Sequence, residues 1–232
     1  EYVPKGSLED WLLSDKPMTD EQKISVLHGT AAGMMYLHSE GIIHRDLATR
    51  NILLDKTLCP KVCDFGLSRL MVDERTHKSV NGIGPIRWMA PESLTESKYN
   101  KKSDVWSYGI VTYEVLTRKE PYQGINLFEV SIKVPTGEIS LVSELAPHAH
   151  EHPALLMSIL SICLQRDPSW RPDFSQLVEW LEQVSHSESV SSTSYVFQEN
   201  KNENPIEKYK ASRISRNVDG SFLPTVDDSN AV

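Results

Sequence analysis

The chain has 232 residues, 39% hydrophobic and 24% charged, with a formal net charge of −8, which suits one large domain or one and a half and runs slightly polar for a chain packed throughout. Eleven glycines without a period, no sustained heptad and three cysteines exclude collagen-like, coiled-coil and disulfide-scaffold classes. The acidic balance argues against general nucleic-acid affinity, which needs a basic face to displace counterions from phosphates. Cys59, Cys63 and Cys163 lack metal-site spacing and are expected to be reduced thiols of an intracellular protein. No apolar run approaches the roughly 20 residues of a membrane span and no leader opens the chain, so a soluble protein without a membrane segment is expected. The first residue is Glu1 rather than methionine, which raises the question whether this is a piece of something longer.

In chain order, Ser7 followed by Asp10 forms a capping-box pattern ahead of Leu8, Trp11 and Leu12, one short apolar face. Thr19 with Gln22 makes a second start, after which Ile24, Leu27, Ala31, Met34 and Met35 keep helical spacing until Gly41 stops it. The period then changes. Ile42-Ile43, Ile52-Leu53-Leu54 and Lys61-Val62-Cys63 are short β-type runs separated by polar turns. A helix starting at Ser103-Asp104 is apolar nearly all round, through Val105, Trp106, Tyr108, Ile110, Val111, Tyr113, Val115 and Leu116, and belongs at the centre of a domain. Later helices are expected at about 126–133, at 153–164 with Pro153 in the first turn, and at 173–184 after Arg171-Pro172. Beyond Ser185 the composition turns Ser-, Asn- and charge-rich, too little burial to offset chain entropy, so 185–232 is expected to be a mostly disordered tail.

Between the β-type runs lies His44-Arg45-Asp46-Leu47-Ala48-Thr49-Arg50-Asn51, and thirteen residues after Asn51 comes Asp64-Phe65-Gly66, followed by Ala90-Pro91-Glu92. In this order and at these spacings the motifs resemble the catalytic loop, the metal-binding triplet and the end of the activation segment of eukaryotic protein kinases, of the tyrosine kinase or tyrosine-kinase-like group. The resemblance covers about residues 1–184. It implies a mainly α fold with short β-hairpins, the large C-terminal lobe of the kinase fold without the N-terminal lobe. It also implies transfer of the γ-phosphoryl of ATP, with Mg²⁺, to a protein hydroxyl, in the cytoplasm or on the cytosolic side of a receptor.

Phosphoryl transfer passes through a loose transition state, so catalysis rests on positioning and charge neutralisation. By resemblance, Asp46 accepts the proton of the substrate hydroxyl, a role worth roughly 10²–10⁴ in rate, and Arg50 supports that base and the incoming hydroxyl. Asn51 and Asp64 offer oxygens to Mg²⁺. Glu1-Tyr2-Val3 resembles the hinge, where backbone groups of Glu1 and Val3 meet the adenine edge, and Leu53 matches the apolar floor beneath the ring. Ser7 either reaches the ribose or only caps its helix. Glu92 and Arg171 match a buried ion pair, and Asp104 matches an aspartate that holds the catalytic-loop backbone, its plain alternative being a first-turn acid favoured by the helix dipole. His44 is expected to be a packed structural residue.

Ala48, where serine/threonine kinases usually have lysine, and Gly84-Pro85-Ile86-Arg87-Trp88-Met89, which resembles the tyrosine-kinase substrate platform, favour tyrosine as acceptor. Cys163-Leu164-Gln165, lacking the tryptophan usual after that cysteine, and the unusual Ile83-Gly84 leave a tyrosine-kinase-like serine/threonine kinase open. The segment from Asp64 to Glu92 contains no tyrosine. Arg45 would instead pair with a phosphate on Thr76 or Ser79 and order that segment. Cys63 is expected to be a small strand residue rather than a reactive thiol, and Tyr195 and Tyr209 are candidate docking tyrosines whose plainer reading is unmodified tail. No Gly-rich loop, strand lysine or partner glutamate is present, and Gly82-Ile83-Gly84-Pro85 cannot replace the first. The chain is therefore either the large lobe of an active kinase, expected to be marginally stable with Leu53 and Phe65 uncovered, or a catalytically impaired binding module.

Overall fold

The computed structural model describes residues 3–64, 69–70 and 85–187, together with Ile206 and Tyr209. The expectations for Glu1, Phe65, Gly66, Thr76, Ser79 and Tyr195 lie outside these residues. The chain divides into two units, Glu1–Thr193 and Ser194–Val232; in the second, Ile206 and Tyr209 have helical backbone.

Helix α1 (Leu8–Leu13) begins at a full capping box, in which Ser7 Oγ accepts from Asp10 N at 3.0 Å and Asp10 Oδ2 accepts from Ser7 N at 3.1 Å. The two orphan amides of the first turn are thereby paired. Leu8 and Leu12 are buried. Trp11, expected on the same face, instead lies half-buried between two ammonium groups, Lys5 Nζ 4.7 Å and Lys16 Nζ 5.1 Å from its ring centroid. A ring can shed water in this way without entering the core. The far end of α1 is closed by Arg118, whose guanidinium donates to the carbonyls of Trp11, Leu12, Ser14 and Lys16.

Helix α2 (Asp20–Ser39) starts at the Thr19–Gln22 capping box and is followed by Gly41 at φ +72°. It packs mainly on the last helix of the lobe and on a short strand, and buries Ile24, Leu27, Ala31 and Met34. Met35 falls outside this face and is exposed. Gly29 makes the close approach possible, since a Cβ there would come within 2.6 Å of Pro60 Cγ.

The three predicted β-type runs form strands, the third shifted by one residue to Pro60–Val62, and with an unexpected fourth strand they make two antiparallel pairs. Strand β1 (Ile42–Ile43) pairs with β4 (Arg69–Leu70), and β2 (Ile52–Leu54) pairs with β3 (Pro60–Val62), Ile52 opposite Val62. Only β2–β3 is a hairpin, joined by a turn in which Asp55 Oδ1 accepts from Thr57 N and Cys59 N. The pairing of β1 with β4 closes a longer loop. It brings the segment after β1 and the segment after β3 to the same end of the two ribbons.

Helix α3 (Pro91–Glu96), with proline at its first turn, was not expected from sequence. Helix α4 (Lys101–Thr117) starts two residues before Ser103, because Asn100 is the cap and Ser103 reaches back to it as the N3 partner. Every residue from Ser103 to Leu116 is buried, as an all-round apolar helix requires. The later helices are α5 (Leu127–Thr136), α6 (Leu141–Leu145), α7 (Ala154–Cys163), which packs on α4, and α8 (Phe174–Ser187), which packs on α2. Pro153 is the cap residue of α7 rather than part of its first turn. Tyr108 ties α4 to α2 by donating to Leu27 O at 2.9 Å, and its ring meets Phe174 of α8 edge-on. Among the described residues no helix is long and apolar enough to cross a membrane.

Arg171 is fully buried, and each of its five N–H donors has an oxygen. Nη1 and Nη2 donate to Glu92 Oε1 and Oε2 at 2.7 and 2.9 Å, and the rest go to the carbonyls of Gln165, Lys102 and Arg166. The guanidinium also lies over Trp106. This one side chain joins α3, the start of α4 and the turn before α8. Glu92→Ala leaves the cation buried without its counter-charge and is expected to cost about 3–5 kcal/mol of stability in denaturant unfolding; a loss below about 1 kcal/mol would show that the pair is not a structural tie.

Candidate active site

The loop between β1 and β2 is fixed from beneath by one carboxylate. Asp104, 1% exposed in the first turn of α4, accepts from His44 N at 2.8 Å and His38 Nε2 at 2.9 Å through Oδ2, and from Arg45 N at 2.9 Å through Oδ1. Successive backbone amides can converge on one side chain here because Arg45 adopts φ +70°, a left-handed conformation that costs a non-glycine residue roughly 1–2 kcal/mol and needs compensation. The Arg45 guanidinium lies over the ring of Tyr99, 5.1 Å from its centroid. His44 is fully buried; its Nδ1 accepts from Asp46 N at 3.3 Å and its Nε2 donates to Cys63 O at 3.1 Å. These partners specify the neutral Nε2–H tautomer.

Asp46 sits two residues beyond, its carboxylate held on both sides. Oδ1 accepts from Arg50 Nη2, while Oδ2 accepts from Asn51 Nδ2 at 3.0 Å, and the same amide nitrogen donates to Asp46 O at 2.7 Å. The 3₁₀ turn Thr49–Asn51 makes this local, since it folds Arg50 and Asn51 back over the aspartate. With its nitrogen committed to Asp46, the Asn51 amide keeps Oδ1 as an acceptor.

The Asp64 loop is joined to this loop through Asn51 and His44. Cys63 N donates to Asn51 O at 2.9 Å, beside the contact of His44 with Cys63 O. Asp64 is exposed and has φ +62°. Oxygens of Asn51 and Asp64 are a donor set that a hard cation accepts. Among the described residues no group of three His, Cys, Asp or Glu side chains is placed to hold a metal ion. Burial, and then the Asp64 charge, push the Cys63 thiol up, so thiolate chemistry is disfavoured there.

Lys5 N donates to Leu54 O and Leu54 N to Gly6 O, and Ser7 bridges to Leu53. This lays the segment carrying Val3 along β2, the strand that carries Leu53. Both Val3 and Leu53 are half-buried. The Ser7 hydroxyl is engaged within its cap, accepting from Asp10 N and donating to Asp10 Oδ2 at 2.7 Å.

Two participants escaped sequence reasoning. His38, at the end of α2, is the third donor to Asp104 and packs edge-on against Phe174. Glu114, 6% exposed on α4, accepts from Thr49 Oγ1 at 2.8 Å and from Trp88 Nε1 at 2.9 Å. Trp88 in turn lies under Arg50, whose Cζ is 4.5 Å from the ring centroid. The signal for Glu114 was a charge within the apolar stretch from Val105 to Leu116, which requires partners when buried.

A mainly helical lobe in which two ribbon loops, one built on Asp46 and Asn51 and the other on Asp64, meet above a buried helix is the large lobe of the protein kinase fold. The family model described as protein tyrosine and serine/threonine kinase matches residues 1–181, and the chain belongs to that family. Among curated relatives, ephrin type-A receptor 5 of Rattus norvegicus is 40% identical over 197 residues, 83% of this chain and 19% of the receptor. Ephrin type-A receptor 6 of Homo sapiens is 38% identical over 197 residues, 83% of this chain and 18% of that protein. Ephrin type-A receptor 8 of Rattus norvegicus is 40% identical over 201 residues, 84% of this chain and 52% of that sequence. The chain thus spans about a fifth to about half the length of these relatives.

Asp104→Ala removes an acceptor from three buried donors, at about 1–3 kcal/mol for each donor left unpaired. Hydrogen exchange is expected to show lost protection at the amides of His44 and Arg45 before the helices open; unchanged protection there would mean that the loop is held by something else.

Proposed function

We propose that the chain supplies the large lobe of a protein kinase that transfers the γ-phosphoryl group of ATP to a protein hydroxyl, with tyrosine preferred over serine and threonine. The observation that supports this most is the Asp46 carboxylate, presented on a loop whose backbone Asp104 immobilises and whose side-chain geometry Arg50 and Asn51 set. In this reading Asp46 orients the acceptor hydroxyl and takes its proton, and Arg50 holds the carboxylate in place as the hydroxyl approaches. Asn51 Oδ1 and the Asp64 carboxylate hold Mg²⁺, which when bound neutralises charge on the phosphoryl oxygens. Leu53 and the backbone of Val3 and Glu1 flank the adenine.

The preference for tyrosine rests on Ala48, on the platform that ends in Arg87-Trp88-Met89, and on the likeness to ephrin type-A receptors. In the described part of that platform Trp88 is fixed by Glu114, and Arg87 donates to the carbonyls of Pro121, Tyr122 and Ile125. Such anchoring suits a surface that aligns a peptide. Its partners are protein substrates, and the need for ATP places the lobe on the cytosolic side of any membrane to which a longer product is attached.

The test is ATP-dependent phosphate incorporation, with phosphoamino-acid analysis, by the chain as given and by the chain joined to the sequence encoded upstream of Glu1. The extended form is expected to label tyrosine, and Asp46→Asn to lower its rate by about 10²–10⁴. Labelling confined to serine and threonine would overturn the preference, and no incorporation by either form would overturn the enzymatic reading.

A further inference from the structure

We propose that Glu114 is a positioning residue that couples the catalytic loop to the Trp88 platform, and that its protonation state switches the coupling. For its functional consequence the proposal rests on the kinase reading above; the coupling itself does not.

Glu114 is the hub of two chains of contact that reach the Asp46 loop. One runs through Thr49, whose hydroxyl donates to Oε1. The other runs through Trp88, whose indole donates to Oε2 and whose face carries the Arg50 guanidinium, itself bonded to Asp46. Among the described residues no cation forms an ion pair with Glu114, and the side-chain hydrogen bonds to its carboxylate come from these two neutral donors.

Among the described residues few charged groups face it. Glu9 of α1 raises its affinity for a proton and Arg50 of the catalytic loop lowers it. A cavity of about 290 Å³ beside it is also lined by Arg118, Lys119 and Glu120. The Arg118 guanidinium is spent on the carbonyls that close α1, and Arg87, on the Trp88 turn, pairs with Glu120 at 3.1 Å. Burial therefore dominates and lifts the Glu114 carboxyl to about 7.

The two donors respond differently to a proton. An indole N–H can only donate, whereas a threonine hydroxyl can donate or accept. The ionised carboxylate accepts from both, and bonds to an ionised group are roughly twice as strong as neutral ones. When Glu114 is protonated the new O–H needs an acceptor, and of its two partners Thr49 is the one that can turn to provide it. Trp88 then keeps a weaker, neutral bond, and Thr49 of the catalytic loop reverses its role. Above neutrality the platform and the loop are held to one charge; below it that tie relaxes. The conservative variant is informative because a glutamine at this position accepts from Trp88 with its oxygen and donates to Thr49 with its nitrogen, as the protonated acid does.

The experiment follows the tryptophan indole N–H resonances of the ¹⁵N-labelled full chain between about pH 5 and about pH 9, with Trp88 assigned through Trp88→Phe. The Trp88 resonance is expected to titrate with a midpoint at about 7, and Glu114→Gln to hold it fixed near its low-pH position while the other four indoles stay as in the unsubstituted chain. A Trp88 resonance that does not move, or one that still titrates in Glu114→Gln, overturns the proposal. In an active extended enzyme the same variant is expected to remove an inflection near neutrality from the pH profile of the peptide KM. If that enzyme transfers no phosphate, the kinase reading fails while the resonance titration still decides the coupling. Stability supplies a further check. The folded state holds the Glu114 proton from about 4.5, where the unfolded chain loses it, to about 7, so the Glu114 contribution to stability falls as pH rises through that window. Glu114→Gln is expected to flatten this slope, and an identical slope in both proteins would contradict the assignment.

Discussion

Everything at the candidate site depends on the carboxylate of Asp104, placed in the first turn of a helix that is buried along nearly its whole length. A charge so placed is costly unless oxygen and donor match completely, and here the match is supplied by the loop it anchors. The amides of His44 and Arg45 and the ring of His38 converge on its two oxygens. The left-handed turn at Arg45 is the price of that convergence. Its consequence is that Asp46 starts from a fixed backbone, so that Arg50 and Asn51, one turn later, need only set the carboxylate's rotation.

Three buried charges share this organisation along α4. Asp104 at its start holds the backbone of the Asp46 loop, Arg171 beside its first turn ties in Glu92 of α3, and Glu114 near its end holds Thr49 and Trp88. Each takes donors or acceptors from neighbouring segments and thereby positions them against the same rigid element. A buried helix with charges at both ends works as a frame for irregular loops, and loops fixed in this way can carry chemistry without being secondary structure themselves.

Much of this was legible in sequence where the relevant physics is local. Ser7 with Asp10 and Thr19 with Gln22 announced helix starts, because a cap is a contact between residues three apart. The apolar circumference of Val105 to Leu116 announced the central helix. What was not legible depends on distant partners. The β1–β4 pairing skips over β2–β3, and two-residue strands carry no period to reveal it. Trp11 and Met35 fit apolar helical faces but lie outside them, because two lysines cover one and the face packed on α8 and β3 stops short of the other. Helix α3 is six residues, too short to show a period. Of the site, Asp46, Asn51, Asp64, Asp104 and the Glu92–Arg171 pair stood out through their motifs, whereas His38 and Glu114 read as ordinary helix residues until the loops were seen to fold onto them.

The central claim is that the loops of Asn51 and Asp64, joined through Cys63 and His44, form one nucleotide-metal site beside Asp46. Paramagnetic broadening by Mn²⁺ in the presence of ATP tests it most directly, since broadening reports weak binding and falls off steeply with distance. The account predicts that the resonances of Asn51, Asp46 and Asp64 broaden first and that Asp64→Asn abolishes the effect. Broadening centred elsewhere on the lobe, or undiminished in Asp64→Asn, would contradict it.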